Sequence, residues 1–257
     1  MTRPPPLQTL NRVEFHKAFR SPGPVVTPVV HVLDDGQASR NIDIAIRAGA
    51  PGVFLINHDF VKEQLIPILK TVRARYPRFW IGVNFLGVSG LDAFPILADL
   101  AAAGTVMDAY WADDARVDER REEQSEADAI RHLQQSGGWG GMYFGGVAFK
   151  KQRPVDPRDY ALSARIGCTR MDVVTTSGVA TGEEADHGKI DTFRGAVGEH
   201  PLALASGVTP ENAVHYAVNV DCFLVATGIS APGDFYNIDP GRLQALLEIT
   251  REVGTRV

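Results

Sequence analysis

The chain has 257 residues and a formal net charge of −5, from 31 acidic and 26 basic side chains. Its basic residues are dispersed, so it lacks the electrostatic footprint of a nucleic-acid binder, and it has no basic amphipathic segment for a membrane surface. Apolar residues make up 44% and charged residues 22%, ordinary for a globular protein that needs no metal or disulfide to hold its core.

Residues 1–24 read as an N-terminal extension in which Val13, Phe15 and Phe19 form a short helix. Apolar runs rich in Val, Ile, Phe and Tyr then recur: Val25–Leu33, Gly52–Asn57, Phe79–Leu86, Val106–Ala112, Met142–Phe149, Met171–Ser177, Leu202–Gly207 and Cys222–Gly228. Most lack polar alternation, as expected of parallel strands covered on both faces. Helical stretches separate them. Ile42–Ala48 ends at Gly49, and Phe60–Arg75 carries Pro67, which should kink it. Leu91–Ala103 and Glu119–Gln135 follow the third and fourth runs. Asp156-Pro157, Thr209-Pro210 and Asp239-Pro240 each pair a capping side chain with proline at the first helical position.

Eight strands alternating with helices at a spacing near 27 to 30 residues point to a (β/α)8 TIM barrel over residues 25–257. The rival is an open doubly wound sheet. That fold usually carries a glycine-rich turn after its first strand, and Leu33-Asp34-Asp35-Gly36-Gln37 is no such turn. Cys168 and Cys222 fall in no metal-binding pattern and read as buried free thiols in a reducing compartment. The first residues lack the apolar core of a signal peptide and no run of 18 apolar residues exists, so the expected location is the cytoplasm.

A barrel sorts its polar residues by position along each strand, with active sites at the C-terminal ends. Asp108, Asp172 and Asp221 lie at strand starts and belong to the bottom rim. At strand ends stand His31, Asn57-His58-Asp59, Asn84, Asp113-Asp114, Lys150-Lys151, Thr176-Ser177, Ser206-Gly207 and Thr227-Gly228. Any one of these could be a helix cap or loop anchor, but together they make a polar mouth.

The most informative stretch is Ala203–Ser230. Ser206-Gly207 and Thr227-Gly228 end successive strands, where small residues let the backbone approach a ligand. Thr209 should cap a helix whose free N–H groups favour an anion, and residues 229–238 leave room for a short extra helix. Either turn alone is ordinary; both together read as a phosphate site. The loop Thr175–Gly182, with Ser177, Gly178 and Thr181, either lines that site or forms a lid. The acidic run Glu183-Glu184-Ala185-Asp186 reads as a solvated helix N-terminus.

These loops resemble the BtpA/SgcQ family of the ribulose-phosphate-binding barrels, whose pattern reads roughly SGxATG, GSGVTPEN and VGTS. Here the segments are Thr175–Gly182, Ala205–Asn212 and Val225–Gly228, and the similarity covers residues 140–250. Trp111–Ala115 and Phe149-Lys150-Lys151 fit the family's regions after strands four and five. The N-terminal third departs: the family's methionine-histidine-leucine strand is Val30-His31-Val32 here, and Asn57-His58-Asp59 is unlike it. The resemblance implies the barrel and the phosphate loops and leaves the chemistry open, because members are linked both to photosystem I assembly and to a sugar operon.

Three readings follow. In the first, an enzyme acts on a phosphorylated sugar or phosphoribosyl compound by isomerisation, lyase chemistry or glycosyl transfer. Ser206, Gly207, Thr227 and Gly228 hold the phosphate, and Asn57 and Asn84 contact the rest. Asp113 is the base, Lys150 stabilises negative charge or forms a Schiff base, and His31 and His58 are further proton carriers. In the second, His31, His58, Asp59 and Asp113 hold a metal for hydrolase or lyase chemistry, although none has the spacing of a known ligand motif. In the third, the barrel has a non-catalytic assembly or regulatory role. No cofactor is expected. A homo-oligomer is an open expectation, with Phe79-Trp80 and Phe235-Tyr236 too few to assign an interface.

Overall fold

The β-branched and aromatic runs form the staves of a closed barrel in a computed structural model that describes residues 10–180 and 182–254. The strands are β1 (Val25–Val32), β2 (Gly52–Asn57), β3 (Trp80–Asn84), β4 (Ala109–Ala112), β5 (Met142–Gly146), β6 (Val173–Ser177), β7 (Leu202–Ala205) and β8 (Cys222–Val225). Each pairs in parallel with the next, and β8 pairs with β1. The first half of β1 lies against β8, with Val25 opposite Cys222, and the second half lies against β2, with Val29 opposite Phe54. Pro28, which has no N–H for a ladder, stands at that change-over.

The helices are α1 (Arg12–Phe19), α2 (Asp35–Ala48), α3 (Lys62–Arg75), α4 (Gly90–Ala102), α5 (Ser125–Ser136), α6 (Tyr160–Gly167), α7 (His187–Val197), α8 (Ala213–Tyr216) and α9 (Pro240–Val253). Gly49 closes α2 in the left-handed region that favours glycine. Helix α3 runs through Pro67 from Lys62 to Arg75 without a break. Helix α5 starts at Ser125, not Glu119. Before it, the Gln124 side chain accepts from Asp118 N–H and donates to the Asp118 and Arg121 carbonyls, which holds the segment as a loop. Asp239 caps α9 as its Asp-Pro signal required, accepting from Arg242 N–H at 2.9 Å.

Thr209 caps a turn as its Thr-Pro signal suggested, with Oγ1 accepting from Glu211 N–H at 3.2 Å, its carbonyl accepting from Asn212 and Ala213 N–H, and its own N–H donating to Asn212 Oδ1 at 2.8 Å. The regular helix that follows, α8, has only four residues. The Glu211, Asn212 and Ala213 amides are spent on Thr209 itself, so this turn leaves none of them for an anion. After β8 the chain makes a 3-10 turn over Thr227–Ile229, and residues 230–238 form a loop closed by a bridge between Ser230 and Ile238.

The two ends of the barrel differ in kind. At the bottom α1 is a plug: Phe15 is fully buried beside Phe144, and Phe19 packs on Trp80. Trp139 is buried there too, donating to the Met107 carbonyl. Asp108, Asp172 and Asp221 repeat one device. Each carboxylate accepts an N–H at the start of the preceding strand, from Ile81, Tyr143 and Leu202 respectively. Each also pairs with an arginine on the helix leading into that strand, Arg73, Arg131 and Arg194. Asp221 adds Arg12 and His16 from α1, which fastens the plug. Burial pushes the Asp221 carboxyl up, but His16, Arg12 and the Leu202 N–H overcome this and hold it at about 2.

Candidate functional site

At the opposite end the inward residues change from Val, Phe and Ala to ionisable groups. One cavity there is lined by His31, His58, Asp113, Lys150, Ser206 and Thr227 over an apolar floor that includes Trp111 and Leu224. Asp113 follows the last residue of β4 and is buried, 6% exposed, with Oδ1 accepting from Asn84 Nδ2 at 3.1 Å. Burial raises its pKa, against the lowering pull of that hydrogen bond and of Lys150. Gln152 donates to the Asp113 carbonyl, which fixes the backbone under it.

Lys150 is half-buried in the loop after β5, with its ammonium on the Phe149 ring at 5.9 Å. Burial lowers its pKa to about 8, opposed by Asp113. Among the described residues no ion pair forms between Lys150 and Asp113 or any other carboxylate. A carboxyl and an amine thus face one cavity without pairing with each other. The Lys150 N–H donates to Ser177 Oγ, and buried Lys189 of α7 donates to the Ala148 and Ser177 carbonyls, each at 2.7 Å. Loop five is therefore tied to the end of β6 from both sides of Lys150. Ala148 (φ 45°) and Ser206 (φ 75°) are non-glycine residues in the left-handed region, so the loops after β5 and β7 carry backbone strain at the mouth.

His31, next to last in β1, is buried, its ring 5.3 Å from His58 and 3.9 Å from Phe235. Burial first, then His58, pushes His31 down to about 4, so its imidazole is neutral at pH 7. Phe235 packs against both histidine rings. Its loop is pinned to the first two βα-units: Gln37 and Asn41 donate to the Tyr236 carbonyl, and Tyr236 OH donates to Asp59. Phe235-Tyr236 and Phe79-Trp80 are thus half-buried and engaged within the chain.

A second cavity adjoins the first and shares Thr227 with it. Its lining includes Gly182, Thr209, Gly228, Ser230 and Arg242. The 3-10 turn's own bonds begin at Ile229 N–H and Ser230 N–H, so the amides of Thr227 and Gly228 stand ahead of them. Arg242 reaches in from α9: Nε donates to the Gly228 carbonyl at 2.9 Å and Nη2 pairs with Glu211 at 3.0 Å. Asp234 also borders this cavity, but its carboxylate accepts from Tyr236 N–H, Asn237 N–H and the Asn237 amide inside its own loop. A Cβ at Gly228 would overlap the Val208 carbonyl oxygen, and one at Gly207 would overlap that of Glu183. These glycines let loops six, seven and eight stack on one another.

Not every strand-end residue is free to meet a ligand. Asn57 is a loop anchor, donating to the Phe60 carbonyl and accepting from Leu86 N–H. Ser177 is a buried joint between Lys150 N–H and the Gly178 carbonyl. Gly207 and Gly178 are buried beneath residues 183–184 and line neither cavity. Ser206 lines the central cavity, although its hydroxyl donates to Ala180 O. Thr181 lies outside the described residues. His31, His58, Asp59 and Asp113 do not gather: among the described residues no three His, Cys, Asp or Glu side chains stand close enough to hold a metal ion. Asp186 does cap α7, as the acidic run suggested. Arg242 had no local motif to mark it; its place in the second cavity does.

No protein-family model matches the chain, and no curated protein sequence is similar to it. Solved structures are similar in fold. Phosphoribosyl anthranilate isomerase of Thermus thermophilus superposes with a TM-score of 0.59 at 12% identity, over 89% of this chain and 99% of the other. The tryptophan synthase alpha chain of Legionella pneumophila gives 0.64 at 16% identity, over 96% and 99%. A native KDPGal structure gives 0.59 at 15%, over 88% and 94%. The chain shares the closed (β/α)8 barrel fold with these structures. Among the described residues no helix is long and apolar enough to cross a membrane.

Proposed function

We propose that this barrel is an enzyme acting on a phosphorylated sugar or phosphoribosyl-type small molecule at a carbonyl or a carbon next to one. The observation that carries the reading is the pair of adjoining cavities joined at Thr227. One offers the Thr227 and Gly228 amides and the Arg242 guanidinium, donors suited to a phosphate dianion. The other sets Asp113 and Lys150 over an apolar floor. Phosphate binding holds the substrate so that its reacting carbon lies between these two groups. Asp113, with its raised pKa, takes and returns a proton, and neutral His31 is a hydrogen-bond partner. Lys150, desolvated to a pKa of about 8, either donates to the developing oxyanion or attacks the carbonyl as the free amine.

The fold shared with a protein named phosphoribosyl anthranilate isomerase supports this reading. A thermal-shift panel of pentose phosphates, phosphoribosyl compounds and their unphosphorylated parents tests it. A ligand at about 100 times its Kd adds roughly 2.7 kcal/mol and raises Tm by several degrees. Phosphorylated compounds should shift Tm and their parents should not. No shift with any phosphorylated member at millimolar concentration would overturn the proposal.

A further inference from the structure

The central cavity carries more positive charge than the reaction above requires. Lys150 and Lys151 both line it, next to each other on the loop after β5. Among the described residues neither is in an ion pair. The carboxylates around the mouth are engaged elsewhere. Asp114 pairs with Arg116, Asp118 and Glu119 pair with Arg153, and Asp59 accepts from Tyr236. Among the described residues Asp113 is the one carboxylate lining the cavity. Even fully ionised, it leaves one ammonium without a counter-charge. Two lysines side by side repel each other, an arrangement that an arriving anion relieves. They also stand on a different loop from Gly228 and Arg242, with Thr227 between the two groups of donors.

We infer that the substrate carries a second anionic group, a carboxylate or a second phosphate, on the end remote from the gripped phosphate, and that Lys151 receives it. This rests on the phosphate reading, and it narrows the substrate class to phosphorylated sugar acids or bisphosphates. Lys150 is left to the reacting carbon, while Lys151, exposed at the rim, holds the acid end.

The test compares binding of glucose 6-phosphate, 6-phosphogluconate and fructose 1,6-bisphosphate to wild-type protein and to Lys151→Gln, by calorimetry at low salt. At least one of the two doubly anionic probes should bind about tenfold or more tightly than glucose 6-phosphate. Lys151→Gln should reduce that preference by about fivefold and leave glucose 6-phosphate unchanged. Preference for 6-phosphogluconate alone identifies a carboxylate, and preference for the bisphosphate alone identifies a second phosphate. Equal binding of all three probes, or equal loss for all three in the variant, would overturn the inference while the phosphate reading stands. Failure of all three to bind would remove both.

Discussion

The pKa of Lys150 can be read directly by chemistry. A fall from the ordinary 10.5 to about 8 raises the neutral amine at pH 7 from about 1 in 3,000 molecules to about 1 in 10, roughly a 300-fold gain in nucleophile. Incubation with glyceraldehyde 3-phosphate and borohydride, followed by peptide mapping, should place the reduced adduct on Lys150. Its rate should climb with pH and level off above about 8. Burial is the main cause and Asp113 opposes it, so Asp113→Asn removes the charge that holds the amine's pKa up. The inflection should then move to lower pH, and Lys151→Gln should move it the other way, because Lys151 pushes Lys150 down. Lys189, also brought to about 8, is an internal control: its ammonium is buried and donating to two carbonyls, so it should not react. Labelling of Lys150 no faster than that of a surface lysine such as Lys70, or an inflection near 10, would refute the argument.

Two further substitutions separate the ends of the barrel. Arg242→Gln removes a guanidinium already oriented by Gly228 O, and should weaken phosphate binding about tenfold by calorimetry. Glu211→Gln frees that guanidinium and should tighten it; unchanged affinity in both would exclude Arg242 from the anion site. At the bottom, Asp221→Asn leaves Arg12 and Arg194 facing a neutral group and should cost about 3–5 kcal/mol, a Tm loss of roughly 6–20 °C, with phosphate affinity preserved. The folded carboxyl sits at about 2, below its ordinary value, so its contribution is complete above about pH 4 and is lost as pH falls toward 2. Acid unfolding of the wild type and the variant should therefore converge near pH 2. Parallel curves would show that Asp221 is not held ionised by its partners.

Where each side chain stands along the barrel was legible in the sequence; what its atoms are bonded to was not. Parallel strands buried on both faces read as unbroken apolar runs, so all eight staves, and the strand-start position of Asp108, Asp172 and Asp221, followed from spacing alone. The central cavity likewise contains His31, His58, Asp113 and Lys150 because strand ends converge whatever the loops do. Capping signals were legible as starts but not as lengths. Thr209-Pro210 and Asp239-Pro240 both place a capping oxygen on a following N–H, yet the first leads into the four residues of α8 and the second into the fourteen of α9. Asn57 and Ser177 lie at strand ends as placed, yet tertiary contacts commit their polar atoms to neighbouring loops. Arg242 is the converse. It follows Gly228 by 14 residues, on a helix that shows no site motif, and only closure of α9 over the end of β8 brings its guanidinium to the second cavity. Periodicity specifies where a side chain stands, while the number of its hydrogen-bonding atoms left for a ligand depends on contacts from elements far away in the chain.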